Sequence, residues 1–298
     1  MEMLSGLTEF HLDWKEAVSI VADSRHGFPE ERARKWTSDH WNFFCQMSIL
    51  YFVFVFGTKF IMRNQKPFDL QRALNAWNAF LAVLGGMMTG QNGLWMWIFV
   101  LSKLFEFVDT GFIVLRKKPL MFLHWYHHIL TLLYGVYSFP NNPAFNRWAC
   151  YLNTCVHSFM YSYYFLRSIR VPIPGFVAKG ITTGQILQFV ISIIVLVCRG
   201  IEEYILGWKD CSFHDRSFWF ISFMDMTYLV LFVNFFLQSY VVKGGKANLK
   251  STRGQSSTDL YTMLSNTATL DKSSFPISDS PMPLYAASQK NVNFPGST

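Results

Sequence analysis

Three histidines in the run His124-Trp125-Tyr126-His127-His128 lie inside the apolar stretch Leu120 to Phe139, where an ionisable side chain is costly and marks function. On a helix, positions i, i+3 and i+4 share a face, so the imidazoles of His124, His127 and His128 point one way. Trp125 and Tyr126 turn toward neighbouring helices or lipid. Imidazoles grouped like this can act as nucleophile, exchange protons or ligate a metal. The groups that face them decide which.

Similar polar stripes recur nearby. Lys103, Glu106 and Asp109-Thr110 follow one another at three-residue steps in an apolar segment. A local Lys103–Glu106 ion pair accounts for two of them and leaves Asp109 unexplained. Asn153, His157, Met160 or Tyr161, and Tyr164 form a second stripe, and Thr182, Gln185 and Gln188 a third. Each alone reads as interhelical hydrogen bonding, which is common in membrane bundles.

The elements that must position these residues are membrane helices. Of 298 residues, 51% are hydrophobic, 18% aromatic and only 15% charged. A membrane helix needs roughly 20 mostly apolar residues. Seven segments qualify: Trp41 to Met62, Arg72 to Gly90, Gly93 to Leu115, Leu120 to Phe139, Phe145 to Leu166, Phe176 to Gly200, and Phe218 to Val242. Pro119, Pro140, Pro143, Pro172 and Pro174 fall between them, as helix-ending residues should. The expected fold class is therefore an all-α membrane protein with about seven transmembrane helices. Residues 1–40 form an N-terminal segment, 41–243 the membrane domain, and 244–298 a Ser/Thr-rich tail whose composition predicts disorder.

Charge sets the orientation. The net charge of +7 is spread over short loops instead of one patch, which excludes nucleic acid as the expected partner and points to the bilayer. Arg63, Lys66 and Arg72, then Arg116 to Lys118, then Arg167 and Arg170, then Lys243, Lys246, Lys250 and Arg253 share one side of a seven-span chain, which basic loops mark as cytosolic. The C-terminus is expected in the cytosol and the N-terminus across the membrane. No cleavable signal peptide is expected, because residues 1–40 carry charges throughout. Cys45, Cys150, Cys155, Cys198 and Cys211 have no CxxC spacing, so neither a zinc site nor a disulfide framework is indicated.

With that orientation Asp109, His124 to His128, His157 and Gln185 each lie roughly 6 to 14 Å from the cytosolic end of their helices, at 1.5 Å per residue. Polar groups in hydrocarbon must find partners. The economical arrangement is a shared cavity open to the cytosol, suited to a polar headgroup with a greasy chain running inward.

In this order, Lys103-x-x-Glu106-x-x-Asp109-Thr110, His124-x-x-His127-His128, Asn153-x-x-x-His157-x-x-Met160-Tyr161-x-Tyr163-Tyr164 and Thr182-x-x-Gln185-x-x-Gln188 resemble the four signature motifs of the very-long-chain fatty acid elongases, the ELO family. The likeness covers about residues 40–243. It implies seven membrane helices, six of them enclosing a narrow acyl tunnel, in a 3-ketoacyl-CoA synthase of the endoplasmic reticulum membrane. Such an enzyme condenses an acyl-CoA with malonyl-CoA, releases carbon dioxide and CoA, and needs no further cofactor. Its pathway implies a 3-ketoacyl-CoA reductase, a dehydratase and an enoyl-CoA reductase as partners, and is compatible with a homo-oligomer. The His-Trp-Tyr-His-His form resembles the branch acting on saturated and monounsaturated chains.

The resemblance favours His127 as nucleophile, because neutral imidazole attacks thioesters readily, and His157 as its partner in proton transfer or oxyanion stabilisation. His124, His128 and Asp109 complete the catalytic set, Asp109 as a carboxylate able to fix an imidazole tautomer. Lys103, Glu106, Asn153, Tyr161, Tyr164, Gln185 and Gln188 are the expected substrate-binding residues, with Lys103 meeting developing negative charge or CoA phosphate. Cys155 as nucleophile falls on another helix face. Family members usually have a markedly longer connection between the second and third helices, with a Cys that bridges to one before the last helix. Here Gly90-Gln91-Asn92-Gly93 joins the helices directly and leaves Cys211 without that partner. The expectation is lower stability and impaired activity unless the loop is dispensable.

Two readings compete. A di-iron desaturase or hydroxylase also carries His-x-x-His-His boxes, and four imidazoles with two acids could hold a metal. A seven-helix transporter or receptor would use Lys103, Glu106 and Asp109 as a relay.

Overall fold

The computed structural model describes residues 11–87, 93–141, 143–208 and 212–242. The connection at 88–92, Cys211, the first ten residues and the expected tail from 244 lie outside the described residues. Every regular element among those described is helical.

Residues 11–40 hold two helices ahead of the first apolar segment. Helix α1 (Trp14–Asp23) starts where the Asp13 side chain accepts a hydrogen bond from the Glu16 backbone N–H at 3.0 Å, the usual N-cap exchange. Helix α2 (Glu30–Asp39) begins behind Pro29. Arg32 of α2 ties the two together through Glu16 and Asp23. The pair buries Ile20, Ala33 and Trp36 against Phe44 and Trp97, and the Trp97 indole donates to Thr37 Oγ1 at 3.0 Å.

The seven expected segments correspond to α3 (Trp41–Ile61), α4 (Gln71–Met87), α5 (Gly93–Phe105) with α6 (Phe107–Leu115), α7 (Phe122–Ser138), α8 (Ala144–Ser168), α9 (Gly175–Tyr204) and α10 (Asp215–Phe236). By length and composition three helical stretches among the described residues can cross a membrane: Trp41–Asn64, Gly175–Tyr204 and Asp215–Val242. The remaining four fall short of that length or apolarity over their described residues. One expected helix is divided. The 93–115 segment has a turn at Glu106, where the Asp109 N–H reaches back three residues to the Glu106 carbonyl at 3.1 Å. The prolines fall between helices as expected, with Pro143 and Pro174 at the N-caps of α8 and α9.

Packing runs α4 against α8, α8 against α9, α9 against α10, α10 against α7, and α7 against α5 and α6. Side-chain bonds from α4 to α6 complete the circuit, while α3 sits outside, against α6 and α7. Small residues permit the close approaches: a Cβ on Gly85 of α4 would lie 2.9 Å from Ser158 Oγ of α8, and one on Gly135 of α7 would touch Val100 of α5 at 3.4 Å. Aromatic side chains fill the α7–α10 interior, with Tyr134, Phe145, Phe189, Phe218 and Tyr228 in one cluster. Outward faces are apolar and exposed, for example Ile49, Val53 and Phe60 on α3 and Ile194 and Val197 on α9, as lipid-facing surfaces should be.

Candidate active site

The turn at Glu106 places its carboxylate beneath the histidines. Lys103 and Glu106 are both buried, and the Lys103 ammonium donates to Glu106 Oε1 at 2.7 Å and to Asn153 Oδ1 of α8 at 3.0 Å. It also stands 4.4 Å above the Phe99 ring. Around this pair gather His128 Nδ1, 3.7 Å from Glu106 Oε2, and His157 Nδ1, 3.8 Å from Glu106 Oε1. His157 Nε2 in turn lies 3.4 Å from Asn153 Nδ2. Glu106 Oε2 is buried and accepts no hydrogen bond from the described residues.

Asp109 and Thr110 face elsewhere. Each three-residue step on a helix falls about 60° short of a full turn, so Asp109 is carried round from Lys103 toward α4 and α8. Its Oδ1 accepts from the Trp77 indole at 2.5 Å and its Oδ2 from the Tyr161 hydroxyl at 2.7 Å. Thr110 Oγ1 lies 2.9 Å from His124 Nε2 and 2.6 Å from the Tyr51 hydroxyl. The carboxylate nearest the imidazoles is thus Glu106, whereas Asp109 anchors an indole and a phenol.

His127 is placed differently from the other three. Its ring makes no hydrogen bond to a described residue and lines a cavity of about 50 Å³ between α5, α7, α8, α9 and α10. Ring centroids of Tyr228, His128 and His157 lie 5.0, 5.5 and 6.0 Å from its own. The Tyr228 hydroxyl donates to the His127 carbonyl at 3.1 Å and pairs with Thr131 Oγ1 at 3.0 Å. Asn153 and Gln188 share the cavity wall. Gln185 instead donates to Met160 Sδ at 3.3 Å, and Tyr164 lines a separate small pocket with Asp109, Tyr161, Arg116 and Lys118.

Several site residues escaped the sequence reading. Asp225 of α10 is buried in the cavity wall and accepts from Ser192 Oγ of α9 at 2.5 Å. A signal existed, since an aspartate inside a membrane-length apolar segment is itself unusual, and Ser192 extends the Gln185, Gln188 stripe by one helical step. Trp77, Tyr51 and Tyr228 carried no such signal, because aromatic residues in apolar helices are commonplace. Among the described residues no group of three His, Cys, Asp or Glu side chains is disposed to hold a metal ion.

A model of the GNS1/SUR4 (ELO) family matches residues 36–91 and 87–248, two pieces that meet at the short connection between α4 and α5. The chain is 47% identical over 277 residues to Long chain fatty acid elongase 1 of Caenorhabditis elegans, covering 84% of this chain and 96% of that one. It is 34% identical over 256 residues to Very long chain fatty acid elongase 6 of Drosophila melanogaster, covering 76% and 81%. Very long chain fatty acid elongase 6 of Homo sapiens is also 34% identical, over 247 residues covering 72% and 91%.

Proposed function

The chain belongs to the ELO family of fatty acid elongases, and from that premise we propose that it condenses a long-chain acyl-CoA with malonyl-CoA to a 3-ketoacyl-CoA longer by two carbons. The observation that carries this reading is His127: an imidazole free of hydrogen bonds to its neighbours, on a cavity wall, ringed by groups able to hold charge and protons. A ring nitrogen attacks the thioester carbonyl, the carbon–sulfur bond breaks, and CoA leaves as thiolate, taking up a proton. The acyl-imidazole remains activated. Malonyl-CoA then loses carbon dioxide, the bonding pair stays on its α-carbon as an enolate, and that carbon attacks the acyl carbonyl. The carbon–nitrogen bond breaks, its electrons return to His127, and a proton from solvent, relayed through His157, restores the neutral ring.

His157 serves as partner in proton transfer or oxyanion stabilisation, held by Glu106 and Asn153. The Lys103–Glu106 pair keeps a buried charge balanced beside the reacting groups, so negative charge can develop there without leaving the protein unpaired. His124 and His128 are fixed by Thr110 and Glu106. The substrate-binding roles fall to Asn153 and Gln188 at the cavity, and to Tyr161, Tyr164 and Gln185 toward the cytosolic mouth. A cavity of about 50 Å³ holds only one or two groups the size of water, ~30 Å³ each. Admission of an acyl chain therefore requires side chains such as Phe189 and Met224 to move apart, opening the tunnel within the six-helix circuit.

The proposed setting is the endoplasmic reticulum membrane with seven spans, the C-terminus in the cytosol, and the reductases and dehydratase of the cycle as partners. Family membership displaces the di-iron oxygenase and transporter readings.

The test is incubation of the purified protein with a panel of acyl-CoAs and radiolabelled malonyl-CoA, following 3-ketoacyl-CoA and the intact protein mass. Product together with an acyl adduct that disappears in His127→Ala is expected. Product without any adduct, undiminished in that variant, would overturn the covalent mechanism.

A further inference from the structure

Where α3 and α6 end beside each other they leave a cleft of about 530 Å³, within the roughly 300 to 1,000 Å³ range of small-ligand sites. Lys59, Arg63, Lys117 and Lys118 supply its polar lining, and Phe56, Phe60, Met62, Val114 and Leu120 the remainder. No acidic side chain contributes. The turn between α6 and α7 is firmly set: Lys117 adopts φ 54°, the Lys118 N–H bonds the Ile113 carbonyl at 2.9 Å, and the Phe68 N–H bonds the Leu115 carbonyl at 3.1 Å.

A plainer account of these cations is that they complement the negative ends of two helices. That covers Lys117, whose ammonium donates to the carbonyls of Arg63 at 3.1 Å and Gln65 at 2.9 Å. Lys59 and Arg63 also lie in last turns, yet like Lys118 their side chains have no acidic or hydrogen-bonding partner among the described residues, which leaves their ammonium and guanidinium groups available to an anion. Lys118 is also partly desolvated beside Arg116, which lowers its pKa, so a nearby anion would relieve it.

We propose that this cleft binds the phosphate headgroup of an anionic phospholipid. A lipid is chosen over a soluble phosphate because the aromatic wall does not close: Phe56 and Phe60 continue into the exposed face of α3 that carries Phe52 and Val53. Charge sits at one end and an acyl-compatible surface at the other, the arrangement of an amphiphile lying along the helix. Basic pockets between helices at the cytosolic face suit anionic headgroups generally.

The test uses the full chain in nanodiscs of phosphatidylcholine with and without phosphatidic acid, with retained lipid counted by native mass spectrometry. Phosphatidic acid should be retained selectively, and the double variant Lys59→Gln, Arg63→Gln should bind it roughly 30-fold more weakly while melting normally in pure phosphatidylcholine. If the double variant does not fold, Lys59→Gln alone, at an exposed position, should weaken binding about 5-fold. Equal retention of both lipids, or unchanged affinity in the variants, overturns the site. Displacement of the lipid by CoA but not by dephospho-CoA also overturns it, assigning the cations to the coenzyme phosphate.

Discussion

His127 is distinguished by lining the cavity with a ring that makes no hydrogen bond to a described residue, whereas Thr110 lies within hydrogen-bonding distance of His124 and Glu106 sits close to both His128 and His157. A nucleophile needs an available lone pair, and a structural histidine does not. His127→Ala should therefore lower product formation by about a thousandfold or more, while His124→Ala, which removes a positioning contact, should cost far less. Parallel rate assays on the two variants separate these effects. The Lys103–Glu106 pair makes a different prediction, because breaking a buried ion pair from one side strands a charge. Lys103→Met should destabilise the protein by roughly 3 to 5 kcal/mol, and adding Glu106→Gln should recover most of that; thermal denaturation in detergent reads both. Had the pair been a solvated surface contact, neither change would matter. The pair itself was readable from the spacing of 103 and 106. Its encounter with His128 and His157 was not, since those lie on two other helices.

Helix contacts explain why the polar stripes diverge. A stripe written at three-residue steps drifts around the helix, so Lys103 and Asp109 reach different neighbours although the sequence spaces them evenly. The division at Glu106 belongs to the same pattern, turning Asp109 toward α4 and α8 while Glu106 stays beside the histidines. Close contact between α4 and α8 rests on Gly85 lying over Ser158. Gly85→Leu should push the helices apart and cost about 1 to 3 kcal/mol, whereas Gly86→Ala, whose added Cβ would meet nothing within 4 Å, should leave the melting temperature unchanged. Equal effects of the two would show that α4 and α8 are not packed this way. The helical character of these segments was legible from apolar length, three of them being long and apolar enough to cross a membrane, and prolines marked joints between them. The turn at Glu106 was not, because no proline or glycine marks it.

For the molecule as a whole, the predictions concern orientation and the short connection between α4 and α5. A glycosylation acceptor placed between Ile205 and Trp208 should be modified in microsomes, and one placed between Lys66 and Leu70 should not; the reverse outcome would invert the topology. Extending the connection between α4 and α5 to family length should raise the melting temperature and the elongation rate, and no change in either would show the loop to be dispensable. Taken alone, the sequence determined that this is a helical membrane protein of the elongase family, because apolar length and motif spacing are local properties that survive without coordinates. Only the tertiary structure decided which carboxylate meets the imidazoles, which histidine lines the cavity, and that Ser192 and Asp225 join it. Those are contacts between distant segments, set by how helices rotate and close against one another, and no local spacing encodes them.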